Sequence, residues 1–311
     1  MSGPVSERDV EPTPGHGEPE AVPVEVIEGR ATEVGGFGVR RVLPRHARRT
    51  VGAWCFADHM GPGSVAAGAG LDIGPHPHIG LQTVTWLLDG AVLHRDSLGS
   101  EQLIRPGQLN LMTAGHGVSH SEETTGVHTG SLHGIQLWVA QPEATRDGAP
   151  AFEHHAELPE VDLGAGATAT VLIGSFAGAR SPARADTDHL GADLALPGGR
   201  TVVPLVAGAE HALVVLDGAV AVGGHPLGPG RLGVLGVGRD EVPVDADGPA
   251  RVLLLGGTPF PDELVMWWNY VARTREEVVA AHRDWSAGDA RFGTVASPLA
   301  RIDVPGPPWA T

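Results

Sequence analysis

The chain has 311 residues, of which 41% are hydrophobic and 19% are charged, and its formal net charge is −16. This length is enough for about two domains with cores of their own, and the acidic balance argues against a surface that binds nucleic-acid phosphates or an anionic membrane. No apolar stretch approaches the ~20 residues of a membrane span, and no basic-then-apolar signal opens the chain. We therefore expect a cytoplasmic protein without direct nucleic-acid or membrane contact.

Residues 1–24 are rich in Ser, Glu, Pro and Gly, show no apolar period, and are predicted to form a disordered tail. From residue 25 onward short apolar runs alternate with turns. A strong example is the run Gln82–Leu88, which the hairpin turn Asp89-Gly90 follows. Many short strands at this spacing predict a β-sandwich or small barrel, here assigned to residues 25–150. For the basic group Arg40, Arg41, Arg45, Arg48 and Arg49 we favour a solvated strand edge and turn over a phosphate site.

The polar, proline-containing stretch Gln141–Pro159 is interpreted as a linker, and a second strand series then fills a second domain, residues 151–311. Both halves share the order strand, Asp-Gly-Ala-Val, strand, Pro-Gly, strand, which begins near Trp86 in the first half and near Val215 in the second. This order indicates an internal duplication of one barrel unit. A short helix is predicted near the end, because Thr274 and Glu277 have capping-box spacing.

Two pairs of metal-ligand side chains lie in the first half. His76 and His78 are two positions apart, and so are His120 and Glu122. Alternate residues of a strand share one face, so each pair can point into one barrel. Three imidazoles and a carboxylate suit a divalent transition metal with open positions for a substrate or O2. We expect one such ion and favour Fe(II), with Zn, Mn, Ni, Cu and Co as alternatives.

The spacing adds to this interpretation. Gly70 precedes His76 in the pattern Gly-x5-His-x-His of the first cupin motif, and Gly117 stands before His120 as in the second. A single His-x-His is weak evidence, since two surface histidines usually explain it, but two such pairs with cupin glycines are far stronger. His94 and His116 flank the site and are candidates for orienting the ligands. The second half lacks both pairs, so we expect no metal there.

The chain resembles the pirin family of bicupins from about Gly35 to about Val295. The segments that carry the resemblance are Phe37–Pro44, Phe56–Pro62, His76–Thr85, His94–Ser97, Met112–Gly115, His120–Glu122, Gly256–Pro259 and Met266–Asn269. It implies an all-β fold of two cupin (jelly-roll) barrels packed face to face, to which the helix predicted from Thr274 and Glu277 adds a short C-terminal element. It also implies metal only in the N-terminal barrel, with all four ligands present. Ile79 and Gln82 depart from the Arg and Glu common in the family.

The resemblance implies two kinds of function. Some members are similar to quercetin 2,3-dioxygenase, which cleaves a flavonol to a depside and carbon monoxide. In that case Glu122 is the catalytic base that takes the substrate's hydroxyl proton. Others are non-enzymatic, iron-dependent proteins that regulate transcription factors or metabolic enzymes through a protein partner. We favour the dioxygenase with a small aromatic substrate. An open, apolar cavity above the metal would support it, and a plugged one would support the alternative.

Overall fold

The computed structural model describes residues 24–65, 71–124, 126–127 and 130–310. The predicted disordered tail, apart from Val24, and the motif glycine Gly70 lie outside the described residues. The first twelve strands are β1 (Glu25–Glu28), β2 (Arg30–Val34), β3 (Phe37–Leu43), β4 (Trp54–Ser64), β5 (Ile73–His78), β6 (Leu81–Asp89), β7 (Val92–Asp96), β8 (Glu101–Ile104), β9 (Leu109–Thr113), β10 (Val118–Glu123), β11 (Ser131–Ala140) and β12 (Ala151–His155).

The second half adds fourteen described strands, one helix and a single 3₁₀ turn. The strands are β13 (Glu160–Gly164), β14 (Ala167–Ile173), β15 (Ser175–Phe176), β16 (Ala179–Arg180), β17 (Leu190–Leu196), β18 (Gly199–Pro204), β19 (Glu210–Asp217), β20 (Val220–Val222), β21 (His225–Leu227), β22 (Arg231–Val234), β23 (Glu241–Ala246), β24 (Ala250–Gly257), β25 (Val265–Trp267) and β26 (Tyr270–Ala272). Helix α1 covers Arg275–Ala287, and the 3₁₀ turn covers Ala290–Phe292.

The chain forms two barrels, each built from a seven-stranded and a four-stranded antiparallel sheet. In the first barrel the strand orders are β12-β9-β6-β11-β4-β3-β2 and β5-β10-β7-β8. In the second they are β1-β22-β19-β24-β17-β14-β13 and β18-β23-β20-β21. The predicted all-β fold of two cupin barrels is confirmed, and the matching orders agree with a duplicated unit.

The two seven-stranded sheets pack face to face. One hydrophobic cluster joins side chains of the first sheet, such as Val84 and Leu137, to side chains of the second, such as Val214 and Leu253. Two tryptophans of the first barrel also donate hydrogen bonds into the second. The Trp54 indole donates to the carbonyl oxygens of Leu190 and Gly256, at 2.9 and 3.2 Å, and the Trp86 indole donates to Asp193 at 2.8 Å. Both indole N–H groups are therefore satisfied inside the interface.

The barrels exchange edge strands. β1 pairs with β22, so that Ile27 lies opposite Leu232 in the second barrel's sheet. β12 pairs with β9, so that Phe152 lies opposite Met112 in the first barrel's sheet. The stretch interpreted as a linker therefore contains a strand, and β1 and β12 each extend the sheet of the other predicted domain. The boundary between residues 150 and 151 stays a prediction.

Helix α1 begins as the sequence predicts. The Thr274 hydroxyl accepts a hydrogen bond from the Glu277 amide at 3.2 Å, and the Glu277 carboxylate accepts from the amide of Arg273 at 3.0 Å. In a strict capping box that carboxylate would reach the amide of the N-cap residue itself. Gly288, with φ of 70°, ends the helix in the left-handed conformation that glycine adopts without strain.

The segment after β24 returns to the first barrel and covers the outside of β5 and β10. The Ser119 hydroxyl donates to the Phe292 carbonyl at 2.7 Å, and the Ile302 amide donates to the Pro75 carbonyl at 2.9 Å. Gly74 permits this approach, because a Cβ at that position would lie 2.0 Å from the carbonyl oxygen of Ala300. The C-terminal segment thus supports the two strands that carry the predicted ligands.

Across the part of the chain that the structure describes, no helix has the length and apolarity needed to span a lipid bilayer.

Candidate metal centre

Adjacent strands of the four-stranded sheet carry all four predicted ligands. His76 and His78 lie on β5, His120 and Glu122 lie on β10, and His120 is directly opposite His76. β5 is the edge strand of this sheet, where Pro77 between the two histidines can be accommodated without its amide proton. The register between β5 and β10 shifts between His120 and Glu122, so the carboxylate does not continue the regular alternation of the strand.

The three histidines form one buried group. Their ligand atoms all lie within 4.8 Å of one another, and each side chain is at most 4% exposed. The His78 and His120 Nε2 atoms are 3.0 Å apart. Nδ1 of His76 faces the Gly74 carbonyl oxygen at 2.9 Å, which assigns the proton to Nδ1 and leaves the Nε2 lone pair free to bind an ion.

Burial keeps these imidazoles neutral. It lowers the pKa of His76 to about 4 and holds the pKa values of His78 and His120 well below the usual range, and neighbouring histidines add to the effect in each case. A neutral imidazole is the form that binds metal, since a protonated ring has no free lone pair. The group therefore fits a divalent transition metal.

Glu122 lines the same cavity but stands outside the group of mutually close ligand atoms. The residue is 7% exposed, and burial raises the pKa of its carboxyl to about 7. A carboxyl with this pKa can take up or release a proton near neutral pH. Its assignment as fourth ligand and as catalytic base stays a prediction.

Of the two flanking histidines, only His94 contacts the site. Nδ1 of His94 lies 3.3 Å from Nδ1 of His120, and its Nε2 lies 3.1 Å from the Asp96 carboxylate. Burial acts to raise the pKa of Asp96, but hydrogen bonds from His94 and Ser100 outweigh it and hold the pKa below its usual value. His116 is exposed, and its Nδ1 pairs with the Gly148 carbonyl.

A cavity of about 370 Å³ opens above the histidines. The seven-stranded sheet forms the wall opposite them with side chains of mixed character, namely Val39, Arg41, Phe56, Asp58, Met60, Gln136 and Trp138. The C-terminal segment contributes Trp268 and Asn269, from the turn between β25 and β26, and Ile302. A concave site of a few hundred Å³ that combines aromatic side chains with convergent polar groups is typical of small-molecule sites.

Most of this wall was not predicted from the sequence. Arg41, predicted to lie on a solvated edge, is half-buried and forms two hydrogen bonds with Asp58. One signal was available, because Asp58 directly follows the apolar run Trp54–Ala57, and a carboxylate in such a strand needs a buried partner.

Two family models match the chain. The model described as pirin covers residues 36–139, and the model described as the pirin C-terminal cupin domain covers residues 192–293. The chain belongs to the pirin family.

Relatives of this pirin agree with the assignment. A Pseudomonas aeruginosa protein named "Putative quercetin 2,3-dioxygenase" is 48% identical over 91% of this chain and 90% of its own. A pirin-like protein of Caulobacter vibrioides is 38% identical over 85% of this chain and 93% of its own.

Solved structures show the same fold. The crystal structure of quercetin 2,3-dioxygenase from Acinetobacter baumannii superposes with a TM-score of 0.89 at 42% identity, covering 93% of this chain and 97% of that one. A bacterial pirin from Escherichia coli in complex with nickel(II) is 19% identical, with a TM-score of 0.60 over 76% of this chain and 99% of its own. At that identity the likeness concerns the fold alone.

Neither of the two departures from the family pattern is among the described residues that line the cavity of this pirin. Ile79 packs in the cluster around Tyr270 and Trp285, beneath helix α1. Gln82 is buried and donates from its amide to the Thr113 hydroxyl at 3.0 Å. Both side chains therefore lie in the packed structure around the cavity and not in its lining.

The second barrel of this pirin has a different interior. A cluster of apolar side chains fills it, with Val171, Leu213, Val242 and Leu254 among its members. His211, the one candidate that the sequence offers near the equivalent position, is buried and lies 3.4 Å from the amide of Val206 through Nε2. The expectation of no metal in this barrel stays a prediction.

Proposed function

We propose that this pirin is a metal-dependent dioxygenase that cleaves flavonol-like substrates such as quercetin, with Fe(II) as the favoured ion. The observation that carries the proposal is the open, aromatic-walled cavity of about 370 Å³ directly above three buried, neutral histidines. The names of the relatives that are 48% and 42% identical support it.

The ion would be held by Nε2 of His76, His78 and His120, together with the Glu122 carboxylate. Imidazole nitrogen suits Fe, Ni, Cu and Zn alike, so the ligand set favours a transition metal without selecting one. When bound, the ion supplies Lewis-acid polarisation of the substrate's oxygen donors and a template for O2.

Glu122 takes the proton of the substrate hydroxyl in this proposal. A base is most effective when its pKa lies near the working pH, and burial raises the pKa of this carboxyl to about 7. Phe56 and Trp138 stack with their ring centroids 3.9 Å apart, and both line the cavity, where they offer apolar contact to a planar substrate and exclude water.

The first test is aerobic turnover of quercetin by Fe(II)-loaded protein, followed at the flavonol absorption band and by release of carbon monoxide. We expect the band to disappear with the wild type and to persist with His76→Ala. His116→Gln is the matched control, because this exposed histidine lies near the site in sequence but faces Gly148. An unchanged band with stoichiometric iron bound would contradict the dioxygenase and favour the regulatory, protein-binding alternative.

A further inference from the structure

Three polar side chains form a row across the wall opposite the histidines. Arg41 on β3 is opposite Asp58 on β4, and Asp58 is opposite Gln136 on β11. The Arg41 Nε and Nη2 groups donate to the two Asp58 oxygens at 2.8 and 2.7 Å, and the Thr85 hydroxyl donates to Gln136 Oε1 at 2.9 Å. All members of this polar row (Arg41, Asp58 and Gln136) line the cavity.

The polar row lies at a fixed distance from the histidine end. Phe56 and Trp138 are directly opposite each other two residues away on β4 and β11, and the Trp138 ring contacts the His78 ring with centroids 5.4 Å apart. Two residues along a strand span about 7 Å. A planar molecule with one end at the histidines and its body against Trp138 would therefore bring its far end to the polar row.

The chemistry of the row suits a neutral hydroxyl group. The fork between Arg41 and Asp58 uses two of the five guanidinium N–H groups, so donors remain, and 34% of the Arg41 side chain is exposed. The Asp58 carboxylate neutralises the guanidinium and is itself an acceptor. A phenolic hydroxyl both donates and accepts, and can therefore pair with both members of the fork.

The charges around the cavity oppose an anion at this end. The charged side chains among the described lining residues are one cation, Arg41, and four carboxylates, those of Glu33, Asp58, Asp72 and Glu122. A like charge placed in a partly desolvated site costs binding energy that hydrogen bonds do not recover. With Glu122 set beside the bound ion, Arg41 and the three remaining carboxylates still leave two negative charges in the lining, which an anionic substituent would meet.

We propose that the polar row is a specificity site that binds a neutral hydroxylated ring, a phenol or catechol, at the end of the substrate remote from the histidines, and that the acidic lining rejects an anionic ring there. The inference rests on the proposed function, because it takes the oxygen-donor end of a flavonol to lie at the histidines.

The test compares three flavonols with the same donor end and a different remote ring: an unsubstituted phenyl, a catechol and a sulfonated catechol. Dissociation constants with Fe(II)-loaded protein are measured without O2 from the shift of the flavonol band, and turnover is measured separately. We expect the catechol to bind about ten-fold more tightly than the unsubstituted ring, and the sulfonated catechol at least about ten-fold more weakly than the catechol.

Two variants separate this site from a general loss of structure. Asp58→Asn leaves the Arg41 charge uncompensated, and should improve binding of the sulfonated flavonol relative to the catechol. Arg41→Lys keeps the charge but loses the fork, and should reduce the preference for the catechol. The matched control is Asp245→Asn, which breaks an equivalent cross-strand fork with Arg200 on the second barrel.

Each result has one meaning. Equal binding of the three flavonols by the wild type, or an equal change for all three in Asp58→Asn, would overturn the polar row as a specificity site while turnover left the dioxygenase standing. Discrimination in binding without turnover would keep the site and contradict the dioxygenase. If no flavonol binds, both proposals fail.

Discussion

The His120 ring is oriented by successive contacts with His94 and Asp96. Its Nδ1 faces Nδ1 of His94, whose Nε2 faces the Asp96 carboxylate, and Asp96 Oδ1 accepts from the amides of Leu98 and Ser100, both at 2.9 Å. With a proton on Nε2 of His94, its Nδ1 accepts from Nδ1–H of His120. The ligand atom of His120 is then Nε2, and the backbone ultimately fixes the direction of the ring.

Removing this support should weaken metal binding. In His94→Phe the ring can still stack on Phe152, which now lies 4.4 Å away between centroids, but it cannot accept from His120. We expect His94→Phe and Asp96→Asn each to reduce metal affinity by about 10- to 100-fold, as loss of such outer partners does. Competition with a chromophoric chelator measures it.

His116→Gln is the control and should bind metal like the wild type. If His94→Phe retains full affinity with an unchanged melting temperature, His94 does not position His120.

For single residues, the sequence predicts which side chains share one face of a strand, because side chains alternate between the two faces. His76 and His78 could be placed on one face because alternate residues of a strand share a face, and the spacing of the two cupin motifs then paired them with His120. Arg41, Asp58 and Gln136 could not, because their row depends on which strands are neighbours in the sheet and on the register between them. Neither the order of the strands nor their register can be predicted from one segment of the sequence.

The C-terminal segment is an element of the second half that stabilises the first barrel. Trp285 of α1 is 2% exposed and packs edge-on against Phe292, and the Arg301 guanidinium lies 3.3 Å from the centroid of the Trp285 ring. The Trp285 indole donates to the Ile302 carbonyl at 3.0 Å. Because Ile302 also lines the cavity, this tryptophan connects the helix to the site.

Two substitutions should separate the hydrogen bond of Trp285 from its packing. Trp285→Phe keeps an aromatic ring but loses the bond to Ile302, and should lower the free energy of unfolding by about 0.5–1.5 kcal/mol beyond any small packing loss. Trp285→Ala also leaves a cavity and should cost about 3–5 kcal/mol. Chemical denaturation measures both.

The matched control is Ser286→Ala, which removes an exposed hydroxyl on the same helix and should stay within about 0.5 kcal/mol of the wild type. Equal losses for Trp285→Phe and Trp285→Ala would show that the ring packing contributes little.

The start of α1 was predictable because Thr274 and Glu277 act locally, within one turn of the chain. Its docking on the first barrel was not. The apolar positions of a helix show that one face is covered, but they do not show by which residues. Here Ile79 and Val304 cover it, and both lie outside the helix and its neighbouring turns in sequence.

For the whole molecule, the repeated strand order predicts two similar barrels, and the structure confirms them. The face-to-face packing followed from the family resemblance. The exchange of β1 and β12 could not be inferred, because short edge strands carry little apolar signal: β1 has one buried residue, Ile27, and the residues of β12 are only half-buried. The position of such a strand depends on which sheet edge offers it unpaired backbone N–H and C=O groups.

Buried histidines outside the metal site should make the metal-free protein sensitive to mild acid. Burial lowers the pKa values of His59, His189 and His211 to about 4 each. In the unfolded chain these groups titrate near 6.5, so between pH 6.5 and 4 the unfolded state binds more protons than the folded state. Stability is therefore lost as the pH falls through this window. Glu122 acts in the opposite sense, because its pKa is raised to about 7 in the folded protein.

In the metal-free protein the pKa values of His76, His78 and His120 are lowered as well, so we expect the buried histidines together to outweigh one carboxyl. The melting temperature of chelator-treated protein should therefore fall between pH 7 and pH 5. Each pKa unit between the folded and unfolded values corresponds to about 1.4 kcal/mol, which makes the effect of a single histidine measurable. His211→Gln removes one of the three groups far from the metal site and should make the dependence shallower. A melting temperature that is constant or rises toward pH 5 would mean that the buried histidines accept protons in the folded state, most directly through water that reaches them.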